Sequence, residues 1–336
     1  MSLRRVVITG MGIVSPVGSD LDTAWNNIKN GVSGITNVSR FDVSQYASQI
    51  GGEVKDFDST NYLVAKEARR LDEFVHYGIA AGIDAIKDSG IEFNDALSER
   101  AGAFVGSGIG GLEFIEKNKS IVVKNDGSPR RISPFFIPGS IINMISGELS
   151  IRYNLKGPNL AVVTACTTAT HSIGLAARSI QHNEADVMLA GGAEMAMTEL
   201  GMGGFAAMRA LSTRNDDPQA ASRPWDAERD GFVLGNGAAV LMLEELEHAQ
   251  QRGAKIYAEV VGFGMSADAH HITAPPEDGN GARRCMQAAM RDAQINPDQI
   301  QYVNAHGTST PVGDVAETDA VKAAFGEYAK LSLIHI

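Results

Sequence analysis

One cysteine of the sequence has the surroundings of a nucleophile. Cys166 directly follows residues 160–165, an apolar segment that predicts a strand, and a segment of helical periodicity begins shortly after it. A thiol at the N-terminus of a helix is favoured as thiolate, because the helix dipole and the free N–H groups there stabilise negative charge. The same N–H groups can bind the oxyanion of an attacked carbonyl. Cys166 is therefore a candidate nucleophile; a buried structural thiol is the other interpretation.

A histidine near the other end of the chain is the second candidate. His306 lies at the end of a predicted strand, residues 302–305, where α/β proteins gather their ligands. The glycine after it permits close backbone approach, and the Thr308 and Thr310 hydroxyls can hydrogen-bond a polar ligand chain. The alternative is a structural histidine bonded to Asp314.

Other residue types and glycine-rich stretches favour no further site. Cys285 lies inside an amphipathic helix and is predicted to fill its core, and the adjacent His270 and His271 are predicted to lie in a loop. No His and Cys spacing typical of a metal site occurs. Residues 10–12 and 106–111 lack the remaining residues of a dinucleotide or phosphate-binding motif, so nucleotide binding is not expected.

The elements that must position these side chains alternate between strands and helices, which predicts an α/β fold. The predicted strands cover residues 5–9, 101–105, 160–165, 186–190, 238–244, 256–262 and 302–305. The first strand is expected to end at residues 10–12, and the fourth at a turn formed by residues 191–192. The predicted helices cover residues 66–88, 141–153, 171–181, 282–293 and 315–325, and another ends at Lys29 after a capping box of Ser19 and Asp22.

Two stretches of the chain repeat weakly. Residues 6–12 are similar to residues 260–265, and residues 162–168 are similar to residues 302–308. In each pair a strand precedes either glycines or a reactive side chain. The repeat predicts two similar halves that each contribute one catalytic residue. We place the first half at residues 1–250 and the second at residues 251–330.

Composition limits the classes of function. The chain has 336 residues and a formal net charge of −11, which argues against general nucleic-acid binding. Its two cysteines exclude a disulfide framework and favour a cytoplasmic location. It has neither a signal peptide nor an apolar run long enough to span a membrane, so no membrane association is expected.

Two basic clusters contrast with the acidic balance of the chain. They are formed by Lys66, Arg69 and Arg70, at the start of a predicted helix, and by Arg130 and Arg131 after a Gly-Ser-Pro turn. Such clusters are usually solvated faces, but on an acidic protein they are candidates for docking an acidic partner.

Several motifs together resemble one family. Residues 163–168 (VTACTT) and 304–314 (NAHGTSTPVGD) resemble the cysteine and first-histidine motifs of the β-ketoacyl-acyl-carrier-protein synthases. Residues 191–194 (GGAE), 222–226 (SRPWD) and 229–233 (RDGFV) resemble further segments of that family in the same order, and the resemblance extends over residues 6–325. Ile109 and residues 134–136 look most like the elongating synthase II branch.

The resemblance implies a fold, a reaction and partners. The fold is the thiolase-like α/β fold, with two pseudo-duplicated halves in an α-β-α-β-α sandwich, usually in a homodimer. The reaction is the decarboxylative Claisen condensation of malonyl-acyl-carrier protein with a cysteine-bound acyl chain, in fatty acid elongation. The acyl groups are carried on phosphopantetheine, and the resemblance implies no separate cofactor and no metal.

The resemblance also implies roles for individual residues. Cys166 would accept the acyl chain as a thioester, and His306 would hydrogen-bond the malonyl thioester carbonyl and stabilise the enolate. Thr308 and Thr310 would contact phosphopantetheine. Ile109 and Phe205 would line or gate the acyl pocket. The two basic clusters, namely Lys66, Arg69, Arg70, Arg130 and Arg131, would dock the acidic carrier protein.

The C-terminal end of the chain departs from the family. The family continues beyond residue 336 with a lysine, a second catalytic histidine and a late glycine-rich loop. Residues 331–336 (LSLIHI) match the translation of a common sequencing adapter. We therefore expect a truncated chain with an incomplete second half and a non-native tail at residues 331–336. Such a chain is expected to be acylated at Cys166 but to condense poorly.

Alternative functions share part of this chemistry. A polyketide ketosynthase would use the same cysteine and histidine with a different pocket and partner. A cysteine-dependent thioester hydrolase would use Cys166 and His306 but release the acyl chain to water. A degradative thiolase would need a second active-site cysteine, and Cys285 is predicted to lie in a helix. A carrier-protein binder without activity is the remaining alternative.

Overall fold

The computed structural model describes residues 3–328 and 331–332. The chain forms two compact units that interleave along the sequence. The first unit comprises Met1–Val32, Glu53–Met202 and Gly235–Val260, and the second unit comprises Ser33–Gly52, Gly203–Leu234 and Val261–Ile336. The division of the chain at residue 250 stays a prediction. Of the predicted tail, residues 333–336 lie outside the described residues. Within the described ranges no helix is long and apolar enough to cross a membrane.

Strands and helices alternate through most of the chain, as an α/β fold requires. The strands are β1 (Val6–Val14), β2 (Thr36–Asn37), β3 (Ile50–Gly51), β4 (Ala101–Gly106), β5 (Asn159–Leu160), β6 (Val187–Glu194), β7 (Gly237–Glu245), β8 (Ala258–Glu259), β9 (Val303–Asn304) and β10 (Leu331–Ser332). The helices are α1 (Leu21–Lys29), α2 (Ala65–Ala68), α3 (Glu73–Ser89), α4 (Asp95–Ser98), α5 (Leu112–Lys124), α6 (Phe136–Ser140), α7 (Met144–Tyr153), α8 (Thr168–Gln181), α9 (Glu199–Ala207), α10 (Leu246–Gln251), α11 (Asn280–Ala293) and α12 (Gly313–Phe325).

The first unit is built on a six-stranded sheet with strand order β5-β4-β6-β7-β1-β8. The strands β5, β4 and β6 are parallel, and the pairs β6–β7, β7–β1 and β1–β8 are antiparallel. One face packs against α3 and α7 in a core that includes Phe74, Ile79 and Leu149. The other face packs against α8 through Ala176, Ile180 and Met188. The sheet is therefore buried on both faces, which explains its apolar strands.

The first strand does not end at the glycines as predicted. Strand β1 continues through Gly10 and Gly12, and the backbone of α3 packs against the strand at both glycines. A Cβ placed on Gly10 would overlap the carbonyl oxygen of Ala85, and one on Gly12 would overlap that of Ala81. These two glycines permit close helix–sheet packing and do not form a turn.

The turn predicted at residues 191–192 is also wrong. Strand β6 runs to Glu194, and Gly191 pairs with Val240 of β7 in the antiparallel ladder. A Cβ on Gly191 would overlap the backbone oxygen of Ala239. The glycine again marks a close backbone approach inside the sheet, which hydrophobic patterning alone does not distinguish from a turn.

The long helix predicted over residues 66–88 is broken into α2 and α3. Asp72 lies at the break, where its buried carboxylate accepts the backbone N–H of Phe74 and caps α3. The same carboxylate accepts the backbone N–H of Phe114 in α5 at 2.7 Å. Burial raises the pKa of Asp72 to about 6. The break thus lets one side chain bond two helix starts, which a continuous helix would prevent.

Several predicted ends shift by a few residues. The strands predicted at residues 160–165, 256–262 and 302–305 shorten to β5, β8 and β9. Among the described residues, β5 and β8 are edge strands with one partner each, and β9 has β10 as its one partner. The helix predicted from residue 171 begins at Thr168. The cap of α1 is Asp20, which accepts the Thr23 N–H at 2.8 Å, and not Ser19.

The second unit centres on a pair of helices. Helices α11 and α12 pack through Met290, Val321 and Phe325, with Val303 of β9 beside them. Strands β9 and β10 are parallel, and β2 and β3 form a separate antiparallel pair.

The weak sequence repeat corresponds to the same packing in both units. In the second unit, a Cβ on Gly262 would overlap the carbonyl oxygen of Ala289, and one on Gly264 would overlap that of Cys285. The two contacted residues are four apart on α11, one helical turn, as Ala81 and Ala85 are on α3. A glycine pair therefore meets one turn of a helix in each unit.

A hydrogen bond repeats along with the glycines. In the first unit the N–H of Met11, between the two glycines, donates to the Asp88 carboxylate at 2.9 Å. In the second unit the N–H of Phe263, again between two glycines, donates to Asp292 at 2.8 Å. Each aspartate lies three residues beyond the last contacted helix residue. The predicted similarity of the two halves is thus present at the level of individual contacts.

The close packing at β1 makes a stability prediction. Gly12→Ala should lower the free energy of unfolding by about 3 kcal/mol, because backbone atoms of α3 occupy the space of the new methyl group. Gly147→Ala is the matched control, since only the Met144 sulfur, at 4.0 Å, lies near that site in α7. The free energy of unfolding of the control should be unchanged or higher by up to about 1 kcal/mol. An equal decrease in the free energy of unfolding of both variants, measured by urea denaturation, would contradict this explanation.

Candidate active site

Cys166 lies in a tight turn directly before α8. Residues Ala165–Thr167 form one turn of 3₁₀ helix, and α8 begins at Thr168, so the thiol is at the helix N-terminus as expected from the sequence. Cys166 is exposed. Ala165 has a φ of +52°, in the left-handed region that non-glycine residues rarely adopt. Strain of this kind persists only where the surroundings hold it, and it concentrates at functional sites.

Threonines before and after the cysteine hold the turn. The N–H of Thr164 donates to the Thr168 hydroxyl at 3.0 Å, and the Thr167 hydroxyl donates to the Thr164 carbonyl at 2.8 Å. The Thr164 hydroxyl also lies 2.8 Å from Nδ1 of His171 in α8. The hydroxyl-rich motif around Cys166 therefore satisfies the backbone of a strained turn. The sequence analysis gave His171 no role.

Glycines in β4, in the loop after β4 and in β6 make room for this turn. A Cβ on Gly106, at the end of β4, would overlap the carbonyl oxygen of Val162. A Cβ on Gly108 would lie 3.2 Å from Cα of Ala165, next to the cysteine. On β6, a Cβ on Gly192 would lie 3.1 Å from Cβ of Ala169. The nucleophile turn thus lies directly over the carboxyl ends of the two parallel strands.

The loop after β4 places Ile109 in the same region. Its backbone is bound by Glu194 at the end of β6, which accepts N–H groups of Gly108 at 2.9 Å and Ile109 at 3.0 Å. Burial raises the pKa of Glu194, and the hydrogen bonds from the loop oppose that shift. Since Gly108 contacts the turn of Cys166, the structure brings Ile109 and Cys166 to one site within the first unit. Sequence reasoning cited Glu194 only as part of a motif.

His306 lies in the second unit, directly after β9. It is exposed, and its backbone N–H donates to the Glu317 carboxylate of α12 at 2.7 Å. The N–H of Gly307 donates to the other oxygen of Glu317 at 2.8 Å. One carboxylate therefore holds the two consecutive peptide groups that carry the histidine. Glu317 lies outside the motif that drew attention to His306.

Asp314, the alternative partner proposed for His306, has other contacts. It is buried, and its carboxylate accepts the backbone N–H groups of Ser309 at 3.0 Å and Trp225 at 2.9 Å. Its second oxygen also lies 3.3 Å from Nε of Arg229. These contacts join residues 222–226 and 229–233 to the histidine motif, so three separate stretches of sequence form one site.

The threonines and Phe205 also belong to the second unit. The hydroxyls of Thr308 and Thr310 lie 2.9 Å apart, and the Thr310 hydroxyl accepts the N–H of Gly313 at 3.2 Å. The Phe205 ring packs edge-to-face on Phe232, with ring centroids 5.2 Å apart. The structure thus groups Phe205, Thr308, Thr310 and His306 in the second unit, and Cys166 and Ile109 in the first.

The basic clusters belong to the first unit. Lys66 and Arg69 are exposed around α2, and Arg130 and Arg131 are exposed in the turn after α5. Arg70 is half-buried, and its guanidinium lies 4.2 Å from the centroid of the Phe135 ring. Because α2 ends at Ala68, Arg70 lies in the break before α3, and the prediction that Lys66, Arg69 and Arg70 open one helix is wrong.

The other candidate groups have structural surroundings. Cys285 lies in α11 and its thiol donates to the Gly264 carbonyl at 3.2 Å. Burial raises the pKa of this thiol, which disfavours a thiolate. His271 is exposed, and its Nδ1 accepts the N–H groups of Thr273 and Ala274. In the part of the chain that the structure describes, no group of three or more metal-binding side chains converges.

Comparison with known families agrees with the motifs. Residues 3–249 match the β-ketoacyl synthase N-terminal domain, and residues 257–336 match the β-ketoacyl synthase C-terminal domain. The chain belongs to the β-ketoacyl synthase family. The predicted family resemblance is therefore confirmed.

Individual members of the family are similar over almost the whole chain. The 3-oxoacyl-[acyl-carrier-protein] synthase 2 of Vibrio cholerae is 58% identical over 97% of this chain and 78% of that protein. The enzyme of the same name from Coxiella burnetii is 54% identical over 98% of this chain and 79% of that protein.

Solved structures of ketosynthases have the same fold. A ketosynthase in complex with its type II PKS acyl-carrier protein has a TM-score of 0.88 and 32% identity, covering 97% of this chain and 79% of that chain. A β-ketoacyl synthase from Burkholderia phymatum has a TM-score of 0.87 and 36% identity, covering 96% of this chain and 79% of that chain. The predicted thiolase-like α/β fold is confirmed.

The contact between α12 and the histidine segment makes a prediction. In Glu317→Gln, one acceptor oxygen becomes an NH₂ group that faces a backbone N–H of His306 or Gly307. Losing a charged hydrogen bond should speed hydrogen exchange of both amides by at least about tenfold, with little change in exchange elsewhere. Asp319→Asn, on the exposed face of the same helix, is the control and should leave exchange unchanged. Protection that survives in Glu317→Gln would show that other contacts hold the segment.

Proposed function

We propose that this chain carries the acylation site of a β-ketoacyl-acyl-carrier-protein synthase, the enzyme of the condensing reaction in fatty acid elongation, and that the chain itself condenses poorly. The observation that carries the proposal is the placement of Cys166, exposed in a strained turn at the N-terminus of α8, in a chain 51–58% identical to 3-oxoacyl-acyl-carrier-protein synthases. Such a turn presents a thiol to solvent while the helix start stabilises its thiolate.

The first half-reaction transfers the acyl chain to Cys166. The thiolate attacks the carbonyl carbon of the acyl thioester, and the N–H groups at the start of α8 are suitable donors for the oxyanion. The carbon–sulfur bond to phosphopantetheine then breaks, and the carrier leaves as a thiolate that takes up a proton from solvent. Within the first unit, the acyl chain would extend along Ile109, and the role of Phe205 as a pocket residue stays a prediction. No cofactor beyond phosphopantetheine is needed for this step.

The second half-reaction forms the carbon–carbon bond. Malonyl-carrier protein loses CO₂, and the electron pair of the broken bond forms an enolate whose carbon attacks the acyl thioester of Cys166. His306 would donate a hydrogen bond to the malonyl thioester oxygen and stabilise its negative charge. Thr308 and Thr310 would hydrogen-bond the phosphopantetheine arm. The cysteine leaves as a thiolate, and the product is a 3-oxoacyl chain two carbons longer.

The alternative functions have less support. The ketosynthase of a type II PKS with a similar structure is 32% identical to this chain, well below the 51–58% of the 3-oxoacyl-acyl-carrier-protein synthases. The same identities disfavour a thioester hydrolase.

The location we propose is the cytoplasm, where the two cysteines stay reduced.

The nucleophile is tested by trapping the acyl-enzyme. Incubation with octanoyl-carrier protein should add one octanoyl group to Cys166, detected by mass spectrometry, and Cys166→Ala should abolish the adduct. Cys285→Ala is the matched control and should be acylated like the unmodified chain, because the Cys285 thiol is half-buried and bonded to Gly264. An adduct that persists in Cys166→Ala would overturn the assignment, and release of free octanoate would favour a hydrolase.

The partner we propose is an acidic acyl-carrier protein that docks on the basic clusters. A ketosynthase of the same fold forms a complex with an acyl-carrier protein. In this chain, of net charge −11, the side chains of Lys66, Arg69, Arg130 and Arg131 are exposed cations. Opposite charge on the two partners would attract them at low salt and orient the phosphopantetheine arm.

Charge reversal tests the docking site. The double variant Arg130→Glu and Arg131→Glu should weaken carrier binding by at least about tenfold at low salt and lose most of its salt dependence. The control reverses Lys29 and Lys55, two exposed lysines of the same unit outside the clusters, and should change the affinity less than about twofold. Titration calorimetry measures both. Similar weakening in both double variants would indicate only a general charge effect.

We also propose a homodimer that forms through β5. This strand ends the sheet of the first unit, with β4 as its sheet partner, and the Leu160 and Val163 side chains on and after it are exposed. An apolar sheet edge of this kind is a site for strand pairing with a second copy. Leu160→Lys should therefore convert the dimer to monomer in analytical ultracentrifugation, whereas Leu3→Lys, at another exposed leucine, should leave it dimeric. A monomeric unmodified chain would refute the proposal.

A further inference from the structure

The carboxylate of Glu194, beside the nucleophile turn, accepts four hydrogen bonds. Its Oε1 accepts the Ser107 hydroxyl at 2.7 Å and the Gly110 N–H at 3.4 Å. Its Oε2 accepts the N–H groups of Gly108 at 2.9 Å and Ile109 at 3.0 Å. All of these donors come from residues 107–110, the loop that follows β4. One side chain therefore binds the whole turn of this loop.

The loop needs such an external partner. Residues 106–111 contain four glycines, which have many accessible backbone conformations when nothing holds them. Gly110 has a φ of +80°, and its N–H also donates to the Ser107 hydroxyl at 2.9 Å. Three consecutive N–H groups that point inward form a concave site for an anion. Here the anion is the carboxylate of the protein itself, so its charge and its two oxygens select one loop conformation.

The loop and its carboxylate are next to the turn of Cys166. A Cβ on Gly108 would lie 2.9 Å from Oε2 of Glu194 and 3.2 Å from Cα of Ala165. Gly108 is therefore sandwiched between the carboxylate and the residue before the nucleophile. Ile109, the next residue, keeps 40% of its surface exposed and extends from the held loop. A shift of the loop would move Ile109 relative to any chain attached to Cys166.

We propose that Glu194 is a positioning residue that sets the acyl-chain preference of the Cys166 site. By binding residues 107–110, it fixes where Ile109 stands beside an acyl group on Cys166, and thereby which chain lengths are accepted. Glu194 does not touch the reacting atoms. The inference rests on the proposed function, since it assumes that Cys166 carries an acyl chain.

The test compares Glu194→Gln with the unmodified chain. Glutamine keeps the size of the side chain but presents one NH₂ group to the loop donors, so some bonds must be lost. Ser107→Ala is a milder second variant that removes the hydroxyl of the same network. Glu259→Gln is the control, because this partly exposed carboxylate pairs with Arg5 at the far edge of the sheet.

Three measurements separate positioning from a general loss of structure. Alkylation of Cys166 by iodoacetamide needs no acyl pocket and should stay within about twofold in all variants. Hydrogen exchange of residues 108–110 should become at least about tenfold faster in Glu194→Gln. The ratio of acylation rates with hexadecanoyl- and butyryl-carrier protein should change by at least about tenfold in Glu194→Gln, less in Ser107→Ala, and not in Glu259→Gln.

The possible outcomes are distinct. An unchanged chain-length ratio, or unchanged exchange of the loop, would overturn the role of Glu194. An equal fall of alkylation and of both acylation rates would also overturn it, because a structural defect does not discriminate between chain lengths. If the unmodified chain is acylated by neither carrier protein while iodoacetamide still alkylates Cys166, the proposed function fails, and loop exchange then tests the contact with Glu194 by itself.

Discussion

Carboxylates that accept consecutive backbone N–H groups determine the conformation of the functional segments of this protein. Glu194 binds the loop after β4, and Glu317 binds the two peptide groups at His306. Asp314 instead accepts N–H groups of two distant residues, Ser309 and Trp225, and so joins two segments of the chain. A charged acceptor forms stronger hydrogen bonds than a neutral one, and it satisfies backbone donors that secondary structure leaves unpaired. Each segment is thereby held at a backbone geometry that its own sequence would not maintain.

A second constraint is the close approach of backbones at glycine. In both units a pair of alternate glycines meets one turn of a helix, and an aspartate one turn further along binds the N–H between them. This arrangement brings the glycine-bearing segment nearer to the helix backbone than any larger side chain would permit. The recurrence of one contact pattern in both units accounts for the weak repeat in the sequence.

Hydrogen bonds and close glycine packing also hold the turn that carries the exposed thiol of Cys166. Cys166 follows a residue in a strained conformation, and the strain is stabilised by threonine hydroxyls within the turn and by glycines beneath it. The surroundings are therefore hydrogen-bonded where the backbone turns and open to solvent at the thiol. Cys285, by contrast, lies within a helix, and its thiol donates to a backbone carbonyl. The two cysteines therefore differ in their position in the fold, since one thiol is exposed before a helix and the other is half-buried within one.

The amino-acid sequence alone determined the family, the α/β fold class, the position of Cys166 at a helix start and the position of His306 after a strand. These follow from local motifs and from hydrophobic periodicity, which act over a few residues. Tertiary structure alone decided that strands β1 and β6 continue through their glycines, because the deciding atoms belong to α3 and to β7. It also decided that the helix predicted over residues 66–88 breaks at Asp72, whose second partner is Phe114 in α5. The roles of Glu194 and Glu317 in holding loops likewise depend on hydrogen bonds to backbone amides, which carry no residue identity and therefore leave no pattern in the sequence.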